Sequence, residues 1–198
     1  MRRPAFMLAA EPEYLSGKDV CLQPVGKQQA TDLAELLCRD HCLRRDLGIK
    51  NDVQPGWRDV LAKLDDWCSR NNSVSVAMVC PPYGKAVGLI SLSHISEAEQ
   101  SARIGYWIGS AFRGRGWTSE AFRLILETAK ANGIRSVSAT VDKKNAPSLN
   151  IWRRYSARED ETPEGKIRCT LKTGVTQLPT LRFVALARNT PSNATILP

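Results

Sequence analysis

No run in this 198-residue sequence approaches eighteen consecutive apolar residues, so nothing in it reads as a membrane-spanning helix. Gly-Lys-Ser and Gly-Lys-Thr are both missing, which excludes a Walker-type nucleotide loop. Gly-x-Gly-x-x-Gly, with its acidic residue about twenty positions on, is missing too, and with it the dinucleotide fingerprint. Cys-x-x-Cys does not occur, and only two histidines, His41 and His94, could join the six cysteines as metal ligands. Cys38, His41 and Cys42 do stand three and four apart. Reduced cysteines on a partly buried helix explain that spacing more cheaply than a metal site, so no metal is expected. Met1–Ala10 has a brief apolar run bounded by Pro4 and Glu11, too short for a signal-peptide core. With scattered cysteines and no secretory signal, the sequence points to a reducing compartment, the cytoplasm.

What is present suits one domain. The length is enough to bury a core, and the hydrophobic fraction of 42% is ordinary for a globular chain. We expect a flexible extension over 1–18, a folded domain over 19–188 and a flexible tail over 189–198. Val20–Pro24 alternates as a first strand. Gln28–Leu43 reads as a helix on Leu33, Leu36 and Leu37, followed by a loop or broken helix to Gln54. Trp57, Val60, Leu61, Leu64 and Cys68 give a second helix that ends near Asn71-Asn72. Strands follow at Val74–Val79 and Ala86–His94, joined by the turn Pro81-Pro82-Tyr83-Gly84. Ile104–Ile108 is a third, apolar and aromatic. Phe122, Ile125, Leu126 and Ala129 lie on one helix face, and Asn132-Gly133 closes that helix. Val137–Val141 reads as a strand and Pro147–Tyr155 as a helix. Ile167–Lys172 and Leu181–Ala187 read as a closing pair of strands.

Between the strand Ile104–Ile108 and its helix stands Arg113-Gly114-Arg115-Gly116-Trp117-Thr118. A strand, a basic glycine loop and a helix aim free backbone N–H groups and a positive dipole end at one spot, where an anion sits. The loop resembles the acetyl-CoA signature of the GNAT acetyltransferase superfamily, Arg/Gln-x-x-Gly-x-Gly/Ala, with Thr118 in place of the last small residue. Gly-Tyr-Trp-Ile-Gly before the loop, Thr-Ser-Glu-Ala opening the helix, and Asn145-x-x-Ser148 opening a second helix extend the likeness. These pieces are most similar to the branch that includes the N-terminal acetyltransferases of ribosomal proteins.

The resemblance implies an α/β (α+β) fold with a mixed, twisted central sheet and helices on both faces. It implies acetyl-CoA as cosubstrate and transfer of acetyl to a primary amine, with a protein N-terminal amine preferred. The amides of Gly114, Gly116, Trp117 and Thr118 would meet the pyrophosphate, with charge from Arg113 and Arg115. The backbone of Trp107 and Ile108 maps onto the strand that pairs with the pantetheine arm and supplies an oxyanion donor. Asn145 is a good helix N-cap in its own right; the family adds a contact to CoA there. Ser148 is the first candidate to protonate or hydrogen-bond the departing thiolate, ahead of Tyr155 and Tyr106. Many GNAT enzymes use a tyrosine for that step where this chain has Trp152, whose indole is not a practical acid. For the base, the branch often has glutamate where this chain has Arg103. His94 is the candidate here, because histidine titrates nearest neutrality, with Glu97, Glu99 and Asp142 also near the acceptor end. Tyr155-Ser156-Ala157 replaces the usual Leu-Gly-Phe, which puts serine in a left-handed turn.

The net charge is +8, and Arg113–Tyr155 alone has nine Lys and Arg against three Asp and Glu. Phosphates of CoA account for part of this. The remainder suits an acidic protein as acceptor, or simply a solvated face. Two rival readings are a non-catalytic CoA-binding regulator and an RNA-binding module; acetylation of a small-molecule amine or of an RNA-linked amine is a further alternative. The lack of an aromatic-plus-basic stripe disfavours RNA binding.

Overall fold

The apolar residues of the central strands fall on both sides of the backbone, so both faces of their sheet need cover. In the computed structural model, which describes residues 16–50 and 52–174, they obtain it. Seven strands form one sheet: β1 (Cys21–Pro24), β2 (Val74–Cys80), β3 (Lys85–Ser96), β4 (Ser101–Ile108), β5 (Ser136–Val141), β6 (Arg158–Glu161) and β7 (Ile167–Lys172). The helices are α1 (Lys27–Arg39), α2 (His41–Asp46), α3 (Trp57–Asn71), α4 (Trp117–Ala131) and α5 (Ala146–Arg154). The strand order is β1-β2-β3-β4-β5-β7-β6. Every neighbouring pair is antiparallel except β4 with β5.

Alternation along β2 and β3 sorts the core into two. Ala77, Val79 and Ala86 pack against Ala30 and Leu33 of α1 and Val60 of α3. On the other face Met78, Val87, Ile90 and Ile104 meet Phe122, Ile125 and Ala129 of α4, with Leu149 and Trp152 of α5. This is the mixed sheet with helices on both faces that the sequence led us to expect.

Two elements differ from their expected form. The helix expected over Gln28–Leu43 breaks at Asp40, whose carboxylate caps α2 by accepting from Leu43 N–H at 2.9 Å. Cys38 and His41 therefore lie on different helices, and the Cys38 thiol donates to the Pro55 carbonyl at 3.4 Å. Among the described residues no three His, Cys, Asp or Glu side chains are grouped to hold a metal ion. The closing strand pair is also different. β7 pairs with Arg158–Glu161, an all-polar strand with no apolar alternation to reveal it. The expected strand Leu181–Ala187 lies outside the described residues. Among the described residues no helix is long and apolar enough to cross a membrane.

Candidate active site

β4 and β5 part company. Their parallel pairing runs only through Ser101–Ser136, Ala102–Val137 and Arg103–Ser138. Beyond Arg103, β4 stays paired to β3 as far as Ile108, while β5 stays paired only to β7. Among the described residues, half of β4 therefore has a free edge. Gly109 N–H donates to Val87 O at 2.9 Å, on the β3 side. Amides alternate sides along a strand, so those of Gly105 and Trp107 also point to β3, and those of Tyr106 and Ile108 point to the open edge. Of the two expected backbone contacts, Ile108 presents its N–H to the opening. Trp107 turns its amide into the ladder, and its indole packs on the α1–α3 side. The end of β4 is drawn hard against β3: a Cβ on Gly88 would lie 2.4 Å from Trp107 O and 2.9 Å from Ile108 Cα.

The glycine loop follows directly. Gly114 has φ +75° and Gly116 φ +83°, both left-handed, and Gly116 is the N-cap of α4. A Cβ at either would meet nothing within 4 Å, so glycine is needed there for conformation and leaves the loop surface open. Among the described residues no backbone carbonyl accepts from Gly114, Arg115 or Gly116. The first amides of α4, at Trp117 and Thr118, have no partner within a helix either. Together they form a ring of free donors at a positive helix end.

Arg115 lies over the ring of Trp117, 5.2 Å from its centre, and donates to Tyr83 Oη at 3.2 Å. Among the described residues it has no carboxylate partner. Arg113 does have one, Asp46 of α2 at 2.9 Å, so part of its charge is already matched. Asp40 braces the approach to the loop by accepting from Ser110 N–H at 2.6 Å and Ser110 Oγ at 2.8 Å. Burial opposes its ionisation, but these bonds, with Leu43 N–H and nearby Arg113, outweigh that and lower its pKa.

On the far side of the opening, Asn145 Oδ1 accepts from Ser148 N–H at 3.2 Å, the N-cap bond its position suggested. Ser148 Oγ lies 2.8 Å from Tyr106 Oη, so β4 and α5 are joined across the parted strands. Tyr106 is fixed edge-on to Phe122, with ring centres 6.1 Å apart, and Phe122 also packs against Trp152 and Tyr155. Tyr155 shares that aromatic cluster, and burial raises its pKa. His94 lies elsewhere. It has φ +51°, packs edge-on to Trp67 of α3 at 6.4 Å, and hydrogen-bonds Ser93 Oγ at 3.2 Å. Glu120 is held in bonds from Arg123, which lower its pKa against the cost of burial, so it is an unsuitable base. Tyr106 is the residue that sequence spacing undervalued, because nothing along the chain relates it to Ser148.

The α3 side of the sheet has a cavity of about 340 Å³. Lys63, Leu64 and Trp67 form one wall; Ser75, Leu89, Ser91, Gly105, Tyr106 and Trp107 line the rest. The small residues of the sheet leave this space below α3.

The model of the acetyltransferase (GNAT) domain family matches residues 19–158, most of the chain. The protein belongs to the GNAT acetyltransferase family. Solved structures give the same fold at low identity. The ribosomal-protein-S5-alanine acetyltransferase of Vibrio fischeri has TM-score 0.63 and 18% identity, over 80% of this chain and 95% of that one. RimJ of Mycobacterium smegmatis, in complex with CoA-disulfide, has TM-score 0.64 and 19% identity, over 77% and 81%. The microcin C7 self-immunity acetyltransferase MccE, in complex with acetyl-CoA and AMP, has TM-score 0.62 and 17% identity, over 79% and 93%. A comparison with curated protein sequences gives no match. In this GNAT chain the glycine loop follows the parted end of β4 directly, and the Ser148 hydroxyl meets Tyr106 of that strand.

Proposed function

We propose that the protein is an acetyl-CoA-dependent N-acetyltransferase acting on a primary amine, with a protein N-terminal amine as the preferred acceptor. The observation that carries this reading is the free edge of β4, with Ile108 N–H on it, between an unsatisfied donor ring and a hydroxyl. The amides at Gly114–Thr118 and the guanidinium of Arg115 suit the phosphates of CoA. The backbone of β4 suits its amide-bearing arm. The family names of the neighbours, which include acetyltransferases for ribosomal proteins, support the choice of acceptor.

In the reaction a neutral amine attacks the thioester carbonyl. Ile108 N–H meets the oxygen that gains negative charge in the tetrahedral intermediate, which lowers the barrier only there. Collapse breaks the C–S bond, and sulfur leaves with the electron pair. Ser148 Oγ–H then hydrogen-bonds or protonates it. The cavity beneath α3 reaches Gly105 and Trp107 from the other side of β4, which makes it the candidate acceptor site. His94 and Trp67 stand at that α3 side, where His94 would receive the amine proton directly or through water.

The test is thiol release from acetyl-CoA against a panel of peptide N-termini, lysine side chains and small amines. Peptide N-termini should be the fastest, and acetyl-CoA should raise the thermal midpoint. Gly116→Asp, which sets a carboxylate in the donor ring, should abolish that rise. If acetyl-CoA stabilises the protein and no amine releases thiol, the protein is a CoA-binding regulator instead.

A further inference from the structure

Three polar groups meet where β4 faces α5, and the reaction above uses only one of them. Tyr106 Oη lies 2.8 Å from Ser148 Oγ. Trp152 is fully buried, and among the described residues its indole N–H has no hydrogen-bond partner. A buried N–H without a partner is costly, so its retention calls for an explanation. That N–H nevertheless lies close enough to the Tyr106 oxygen to favour the phenolate, as does the Ser148 hydroxyl. A phenol oxygen is only a weak acceptor for that N–H, and a phenolate would hold it far more strongly.

We propose that Tyr106 is the proton reservoir for the departing thiolate: it reprotonates Ser148 as Ser148 protonates sulfur, and the Trp152 N–H holds the resulting phenolate. The inference rests on the acetyl-transfer reading. Serine alone is a poor acid, because its alkoxide is far less stable than a phenolate near neutral pH. A phenol in hydrogen-bond contact behind it supplies the missing acidity. The protons balance. Ser148 Oγ–H passes to sulfur, Tyr106 Oη–H passes to Ser148, and Tyr106 is left as phenolate. The attacking amine gives one proton to His94, which passes it to solvent, and Tyr106 takes one back from solvent once the products leave.

The surroundings favour a donor at rest. Burial raises the Tyr106 pKa above its ordinary value, against the lowering from Ser148 and Trp152, so the phenol is protonated at neutral pH. The other titratable group acting on it is the Cys169 thiol of β7, which burial keeps protonated. Phe122 fixes the ring edge-on, so the hydroxyl is aimed rather than free to turn.

Tyr106→Phe removes one oxygen and keeps the ring. In the full-length protein, with acetyl-CoA and the fastest amine, it should lower kcat at least tenfold and leave the KM for acetyl-CoA within about twofold. The dependence of kcat on deuterium fraction should be curved in the parent, with two protons in flight, and linear in the variant. Ser148→Ala combined with Tyr106→Phe should be no slower than the worse single variant, because a relay fails once. A Tyr106→Phe protein with parental kcat overturns the relay while acetyl transfer stands. So does a lowered kcat whose deuterium dependence stays curved, or losses that multiply in the double variant. A parent protein that binds acetyl-CoA and releases no thiol overturns the relay together with the transfer reading.

Discussion

Ser148 is held at both of its polar ends, its N–H by Asn145 and its hydroxyl by Tyr106. It is oriented before any substrate arrives, the condition for a group that acts only in the transition state. Ser148→Ala should therefore reduce turnover by about tenfold or more, while the thermal shift caused by CoA stays nearly unchanged. Equal turnover in parent and variant would sink the role given to Ser148. Much of this site was legible along the chain. Asn145 and Ser148 are three apart, which is N-cap spacing, and the two glycines announce the left-handed loop. Tyr106 was not legible as their partner, because forty-two residues and the parting of two strands separate it from Ser148. Glu120 is the opposite case: its place in the first turn of α4 is visible in sequence, but its commitment to Arg123 needs the folded helix.

The elements were legible where one periodicity held and hidden where a side chain or a partner decided. β6 reads Arg-Glu-Asp-Glu, and only the edge of β7 makes it a strand. The split between α1 and α2 depends on Asp40, a residue that joins both helices to Ser110 before the glycine loop. Asp40→Ala should cost about 0.5–2 kcal/mol, the range for loss of an N-cap, measured by chemical denaturation. Its folded pKa is lowered relative to the unfolded chain. The stabilisation is thus present above the unfolded value near 4 and is lost as pH falls through the folded one. The parent should lose stability across that acidic window more steeply than Asp40→Asn; parallel curves would show that the carboxylate adds nothing. At the other end of the site, Ser156 closes α5 with φ +55°. Its N–H bonds Arg153 O at 2.9 Å and Ala157 N–H bonds Trp152 O at 3.3 Å, a Schellman turn with serine where glycine fits best. Ser156→Gly should stabilise the protein by about 1 kcal/mol. A denaturation midpoint that does not rise would mean that the serine conformation is not strained.

At the scale of the whole molecule, the sheet separates two approaches to one strand. The donor ring and the opening between β4 and β5 belong to the side that would hold CoA, and the Arg115 charge lies there. The cavity beneath α3 lies on the opposite face, over Gly105 and Trp107, with Lys63 and Trp67 at its wall. In the proposed reaction, acetyl-CoA and the amine would each reach β4 without crossing the other. Ser91 lines the cavity, and its hydroxyl donates to Gly105 O at 3.3 Å, a contact small enough to lose. Ser91→Leu should fill part of the cavity with apolar volume and leave the glycine loop untouched. The KM for the amine should then rise at least tenfold. Acetyl-CoA should stabilise the variant as it does the parent, by about 2.7 kcal/mol at a hundred times its Kd, because its proposed contacts lie on the other side. An unchanged amine KM would remove the cavity as the acceptor site. A lost acetyl-CoA shift would show instead that the cavity belongs to the CoA side, and the separation of the two approaches would fall with it.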